Sequence, residues 1–159
     1  MVVVGHGVRE RQQRGPLDAG TLPTTVVIRV RRYLCRACGR ALTVVPAEVT
    51  ARRHYSASAI ALAVALFGVT GLAQSEVRQR VSPWRIVGAT AATGWAALRR
   101  WIRAIKDGAL FAGVRASPAS FTLRQAAERA ATTLAAYAPP AAATWLIERQ
   151  AFAGAVAMA

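Results

Sequence analysis

The residues of this 159-residue sequence best suited to chemistry are its two cysteines, Cys35 and Cys38. Their Cys-x-x-Cys spacing suits two thiolate ligands of one tetrahedral zinc ion, and Gly39 gives the backbone freedom to turn after the second thiolate. A thioredoxin-type redox pair would instead lie at a helix N-terminus within a βαβ unit. A disulfide between residues so close would close too small a loop to stabilise much. The spacing therefore favours a metal-binding knuckle.

Zinc binding by one copy of this chain would be incomplete, because a structural zinc site normally has four ligands. The only histidines are His6 and His54. We expect His6 near a strand end and His54 as a polar residue at the start of a helix. Two chains sharing one zinc through four thiolates would be chemically sound. The cofactor prediction is thus possible zinc, with two of its four ligands present, Cys35 and Cys38.

The residues around the knuckle predict strands. Val26, Ile28 and Val30 alternate with Val27, Arg29 and Arg31, the period-2 pattern of a half-buried strand. Leu42, Val44 and Val45 predict a return strand that ends at Pro46. Residues 1–50 are therefore predicted to form a small basic β-ribbon, equivalent to half of a zinc ribbon.

An apolar segment, residues 54–75, carries no formal charge. Its length makes it a candidate membrane span, but its Ser, Thr, Gln and Gly residues oppose insertion, its alanines contribute little, and Gly68 and Gly71 interrupt it. About a dozen strongly helical residues remain, which is the size of a buried core helix. We expect a core helix, and a membrane-associated protein anchored by this segment is the alternative.

Two further helices complete a predicted helix-turn-helix-like domain over residues 51–106. A short helix over residues 70–81 ends at Ser82-Pro83, and a third runs to residue 105 with Thr93 as its N-cap. Trp95 and Trp101 are expected in the core, with the basic residues off the apolar face. The link between these helices is longer than the turn of a standard motif.

Residues 107–159 are predicted to form a linker and a C-terminal helical hairpin. Thr122 and Gln125 form a capping-box pattern that opens a helix to about Tyr137. After Pro139-Pro140, a second helix is predicted over residues 141–156. This hairpin would pack on the helical middle or on a second copy, which makes a homodimer possible. The overall prediction is an α+β fold.

Charge favours a polyanionic partner. The net charge is +14; residues 1–106 hold 17 basic and four acidic residues, a net of +13, and residues 107–159 hold four and three, a net of +1. Double-stranded DNA is the first candidate and anionic lipid the second. Seven scattered carboxylates and the lack of a phosphate-binding glycine loop argue against catalysis and against a small-molecule substrate.

A family resemblance supports DNA binding. The residues from Arg31 to Pro46, followed by Arg52-Arg-His-Tyr-Ser56 and an Ala/Leu-rich helix, resemble the N-terminal zinc-ribbon and helix-turn-helix region of bacterial insertion-sequence transposases. They also resemble a related bacterial family of unknown function. The similarity covers roughly residues 4–106. The first Cys-x-x-Cys of that family is missing here, so the sequence would be either truncated upstream or a decayed copy.

The sequence therefore predicts a non-catalytic DNA-binding protein. We expect it in the cytoplasm, because the paired cysteines suit a reducing compartment and no secretory signal opens the chain. The ribbon would position the DNA backbone, and the third helix would contact phosphates or base edges in the major groove. The predicted DNA-binding residues are Arg29, Arg31, Arg32, Arg36, Arg40, Arg99, Arg100 and Arg103.

Overall fold

A three-stranded antiparallel sheet precedes five α-helices in the computed structural model, which describes residues 2–50, 53–85, 87–88 and 94–158. The predicted α+β class is confirmed. The strands and helices are β1 Val3–Gly15, β2 Thr24–Cys35, β3 Ala41–Val44, α1 Ala57–Gly68, α2 Gln74–Val81, α3 Ala96–Lys106, α4 Leu123–Ala135 and α5 Ile147–Gly154.

The sheet has the strand order β1-β2-β3 and two unlike faces. β1 pairs with β2 from Val3 opposite Cys35 to Gly15 opposite Thr24, with an irregularity between Gly5 and Val8. Because side chains alternate along a strand, this register defines an inner face. That face carries Arg9, Arg11, Gln13, Val26, Ile28, Val30, Arg32 and Thr43. The opposite, outer face carries Val8, Glu10, Val27, Arg29, Arg31, Tyr33, Leu42 and Val44.

The predicted alternation of β2 is confirmed by burial. Val30 on the inner face is 2% exposed, whereas Val27 on the outer face is 57% exposed. Val26 and Ile28 are half-buried, and Arg29 and Arg31 are exposed. β2 thus turns Val26, Ile28 and Val30 towards the rest of the protein, and Arg29 and Arg31 towards solvent.

The apolar segment forms the central helix of the core, as predicted. α1 begins after Ser56, whose Oγ accepts a hydrogen bond from the Ala59 amide at 3.0 Å, and it ends at Gly68. All of its residues are buried, and α4 and α5 are its main neighbours. Among the described residues, no helix has the length and apolar character needed to cross a membrane.

Gly68 allows α1 and α4 to approach closely. A β-carbon at this position would lie 2.7 Å from the carbonyl carbon of Ala127, and closer still to the Glu128 amide nitrogen. Since both are backbone atoms, the clash can be relieved only if the two helices move apart.

We expect Gly68→Ala to lower the free energy of unfolding by about 1–3 kcal/mol, measured by urea denaturation. Gly39→Ala is a poor control because Gly39 has a φ of 68°. Gly5, with open space around it, is the matched control, and an equal loss for Gly5→Ala would contradict the packing argument.

The C-terminal region departs from the predicted helix bounds, although α4 and α5 pack on each other and on α1. Thr122 caps α4 in a capping box with Gln125, as predicted, but α4 ends at Ala135. The predicted continuous second helix is wrong: a 3-10 turn at Pro140–Ala142 precedes α5, and another at Ala155–Met158 follows it. The Gln150 side chain donates to the carbonyls of Ala143 and Trp145 at 3.0 and 2.9 Å. It thereby satisfies acceptors that a continuous helix would have used internally.

The predicted linker after α3 contributes to the core. Leu110, Phe111 and Val114 are each 5% exposed or less, although they lie in no helix or strand. Phe111 takes a left-handed backbone conformation with φ of 62°. This segment therefore packs as a structured loop and not as a free linker.

Candidate nucleic-acid interface

The outer face of the sheet presents arginine among exposed apolar side chains. Arg31 lies in a cross-strand row between Val8 on β1 and Val44 on β3. These two valines are 52% and 58% exposed. Arg29 lies opposite Glu10, the one carboxylate on this face. The guanidinium groups therefore project from a solvated β-sheet surface.

Arg32 does not belong with Arg29 and Arg31. One residue further along β2, its side chain is on the inner face and is half-buried. Side chains of adjacent strand residues point to opposite faces, so this separation follows from the register. The structure thus divides the arginines that the sequence grouped on this strand.

The two-cysteine knuckle is a tight turn between β2 and β3. The Gly39 amide donates to the Cys35 carbonyl at 2.8 Å, and the Cys35 amide donates to the Arg40 carbonyl at 2.9 Å. Gly39 has a φ of 68°, which favours glycine. Arg36 and Arg40 flank this turn, and both are exposed. The knuckle therefore holds two more arginines at the end of the sheet.

The two thiols differ in their surroundings. Both cysteines are free; Cys35 is buried and Cys38 is exposed. The backbone amide of Cys38 is the largest influence on Cys35 and lowers the pKa of its thiol below the ordinary value. The Cys38 thiol and the Ala37 amide act in the same direction, and burial opposes them. Hydrogen bonds to sulfur thus favour the thiolate, the form that binds metals.

The described residues contain no cluster of three or more His, Cys, Asp or Glu side chains arranged to hold a metal ion. Cys35 and Cys38 supply two sulfur donors, which is half of a tetrahedral zinc site. His6 lies within β1 and not at its end as expected, beside the irregularity that follows Gly5. His54 lies just before α1, as expected, and is exposed.

Three arginines project from the exposed side of α3. The other side of this helix is buried and consists of Leu98, Trp101, Ile102 and Ile105. The exposed side carries Arg99, Arg100 and Arg103. The predicted separation of apolar and basic residues is confirmed. The predicted N-cap, Thr93, lies outside the described residues, and α3 begins at Ala96, after Trp95.

An aromatic cluster fixes the position of α3. The rings of Tyr55, Trp95 and Trp101 meet edge to face, with centroids 4.9–5.7 Å apart. Both tryptophans are 5% exposed, so they are core residues as expected. The Trp95 amide also donates to the Gln74 Oε1 of α2 at 2.8 Å. The start of α3 is thus joined to the start of both preceding helices.

The exposed arginines among the predicted DNA-binding residues form two groups on different parts of the fold. The ribbon arginines are Arg29, Arg31, Arg36 and Arg40; the helix arginines are Arg99, Arg100 and Arg103. The strands mainly contact one another, whereas α3 packs on α4 and α1. DNA contact by both groups would therefore require a ligand that extends over the sheet and the helical body.

Other arginines have structural roles. Arg11 donates to the backbone carbonyls of Thr50 and Arg53, and Arg124 donates to the carbonyl of Phe67. The Arg14 guanidinium lies 5.0 Å from the ring centroid of Trp84, a cation–π distance. High arginine content alone therefore overstates the charge that is available to a partner.

Two arginines that were not among the predicted site residues lie together with Arg11: Arg9, on the same inner face, and Arg53, which lies near both. The alternation of Arg9, Arg11 and Gln13 on β1 was the sequence signal that could have indicated the first of them.

Comparison of the chain with protein-family models, with curated proteins and with solved structures gave no match.

Proposed function

We propose that this protein is a non-catalytic, double-stranded DNA-binding module, related to the zinc-ribbon and helix-turn-helix region of insertion-sequence transposases. The supporting observation is that seven exposed arginines project from the outer face, the knuckle and α3. Each of these elements is held in place by its own buried residues or backbone hydrogen bonds. Positively charged side chains at fixed positions are complementary to the negative charge of a phosphate backbone.

The ribbon arginines would serve as phosphate contacts. A guanidinium fork donates two parallel hydrogen bonds to phosphate oxygens, and its charge displaces condensed counterions. The ribbon carries one opposing carboxylate on the outer face, Glu10. Such contacts fix orientation on the duplex and carry no sequence information by themselves.

The helix arginines would provide the second set of contacts, to phosphates or to base edges in the major groove. The closed aromatic cluster beneath α3 supports this role, because it fixes the helix without using any of its arginines. The tie between Gln74 and Trp95 sets α3 close to the start of α2.

The proposal places the protein in the reducing cytoplasm, where two free cysteines stay reduced. If zinc binds, two copies would share it through four thiolates, from Cys35 and Cys38 of each. In that case the metal would supply structural cross-linking of two ribbons. The membrane-anchor alternative is not supported, because the side chains of α1 that would face lipid are buried against other helices.

Titration of a short fluorescent duplex with the full chain at low salt tests the proposal. We expect saturable binding with a dissociation constant of about 10⁻⁶ M or tighter, since non-specific DNA binding at physiological salt is already in the range of about 10⁻⁴–10⁻⁶ M. An unlabelled duplex should displace the labelled one. No change in anisotropy up to the solubility limit of the protein would overturn the proposal.

A further inference from the structure

A cavity lies on the inner face of the sheet, on the opposite side from the ribbon contacts proposed above. It has a volume of about 780 Å³ and lies between the sheet and the segment that leads into α1. This volume is within the usual range for small-molecule sites, about 300–1,000 Å³. Its lining includes Arg9, Arg11, Val30, Thr43, Arg53 and His54.

Backbone and side-chain hydrogen bonds hold the walls of this cavity together. Arg11 donates to the carbonyls of Thr50 and Arg53, which ties the segment before α1 to β1. The Arg14 amide donates to the His54 carbonyl at 2.7 Å, and the Ser56 amide donates to the Arg14 carbonyl at 3.2 Å. Because the hydrogen bonds of Arg11 and of the Arg14 backbone both reach residues 53–56, the backbone of Arg53 and His54 is fixed before any ligand binds.

The charge of the cavity is positive. Three arginines line it, and the one acidic residue in the lining, Glu10, has its side chain on the opposite, outer face of the sheet. Arg11 is already engaged with carbonyl groups, whereas Arg9 is exposed. Burial lowers the pKa of Arg53 below its ordinary value, so its cation is only partly hydrated. An anion in the cavity would compensate for that lost hydration.

The cavity also has an apolar part. Val30 is 2% exposed, and Val45 and Ala41 lie along the same lining. Guanidinium groups match phosphate oxygens in geometry, and the imidazole of His54 can donate a further hydrogen bond. The space exceeds that needed for an inorganic anion and suits a phosphate joined to a larger, partly apolar group.

We propose that this cavity binds the phosphate of a nucleotide-sized ligand, through Arg9, Arg53 and His54. The site differs from the duplex interface in its residues and in the face of the sheet that it uses. The same chemistry is offered by a free nucleotide and by the terminal nucleotide of a nucleic-acid strand.

Isothermal titration of the full chain with adenosine 5′-monophosphate, adenosine and a 5′-phosphorylated oligonucleotide distinguishes these sources. Binding of the monophosphate indicates a free nucleotide, and binding of the phosphorylated strand alone indicates a strand terminus. In either case, Arg53→Gln and Arg9→Gln should each weaken binding by about 10- to 100-fold, the usual cost of a lost charged hydrogen bond. Arg53→Lys should restore part of the affinity.

Arg115→Gln is the matched control, because it removes the same charge from an exposed residue of the loop after α3. Thermal unfolding shows whether each variant folds. The proposal is overturned if neither phosphorylated probe binds, if adenosine binds as tightly as its monophosphate, or if folded Arg53→Gln and Arg9→Gln bind like the control. Loss of duplex binding in variants of the ribbon arginines, with the monophosphate affinity unchanged, would separate this site from the proposed interface.

Discussion

Replacement of Arg29, Arg31, Arg36 and Arg40 by glutamine is expected to weaken duplex binding by about 10³-fold near 0.15 M salt. Each phosphate contact releases about 0.9 of a counterion, which corresponds to about fivefold in affinity per contact at that salt concentration. The four side chains are exposed and make no contribution to the buried core. Fluorescence anisotropy with a labelled duplex measures the change.

The matched control removes the same four charges elsewhere. Arg80, Arg85, Arg115 and Arg149 are exposed and lie outside both the ribbon and α3. Their replacement by glutamine lowers the net charge equally but should reduce affinity far less than the ribbon variant. Equal losses would show that net charge alone attracts DNA and that the ribbon is not the contact surface.

Replacement of Trp101 by alanine is expected to lower the free energy of unfolding by about 3–5 kcal/mol, the usual cost of removing a buried large aromatic side chain. Trp101 is 5% exposed, and its ring centroid lies 4.9 Å from those of Tyr55 and Trp95. Its removal therefore opens a cavity beneath α3 and breaks two aromatic contacts. Urea denaturation monitored by circular dichroism measures the loss.

Trp101→Phe is the conservative comparison, because it keeps an aromatic ring and loses only part of the volume. We expect it to be closer to the native stability than Trp101→Ala. If the urea midpoint of unfolding of Trp101→Ala equals that of the unmodified protein, the aromatic cluster does not hold α3 in place. In that case α3 would not present its arginines from a fixed position.

Local patterns predicted the elements whose signals come from neighbouring residues. The alternation around Val30 gave the faces of β2, Gly68 ended α1, and Thr122 opened α4. In each case the cause lies within a few residues of the sequence: side-chain period, a glycine in the last turn, or a capping hydroxyl.

Long-range contacts decided what these patterns did not predict. Arg9 and Arg11 are inward-facing residues of β1, a position that hydrophobic periodicity assigns to apolar side chains. Arg11 is stabilised there by carbonyls some 40 residues away, at Thr50 and Arg53. The cavity follows from the same long-range contacts, so spacing along β1 could group Arg9 with Arg11 but could not place Arg53 and His54 beside them.

The extent of the C-terminal helices was also misjudged for a physical reason. The alanine-rich stretch after Pro140 has high helix propensity, but α5 begins only at Ile147. The Gln150 side chain competes for the carbonyls of Ala143 and Trp145. Local side-chain hydrogen bonds thus accompany an irregular turn where intrinsic preference alone predicted a helix.

The most direct test of DNA binding through fixed arginines is the salt dependence of duplex affinity for the unmodified chain. Four ribbon contacts alone predict a slope of log affinity against log salt of about −3.6, and all seven arginines of the proposed interface predict about −6.3. We expect a slope within these limits. A slope near zero, at measurable affinity, would contradict an interface built on arginine–phosphate contacts.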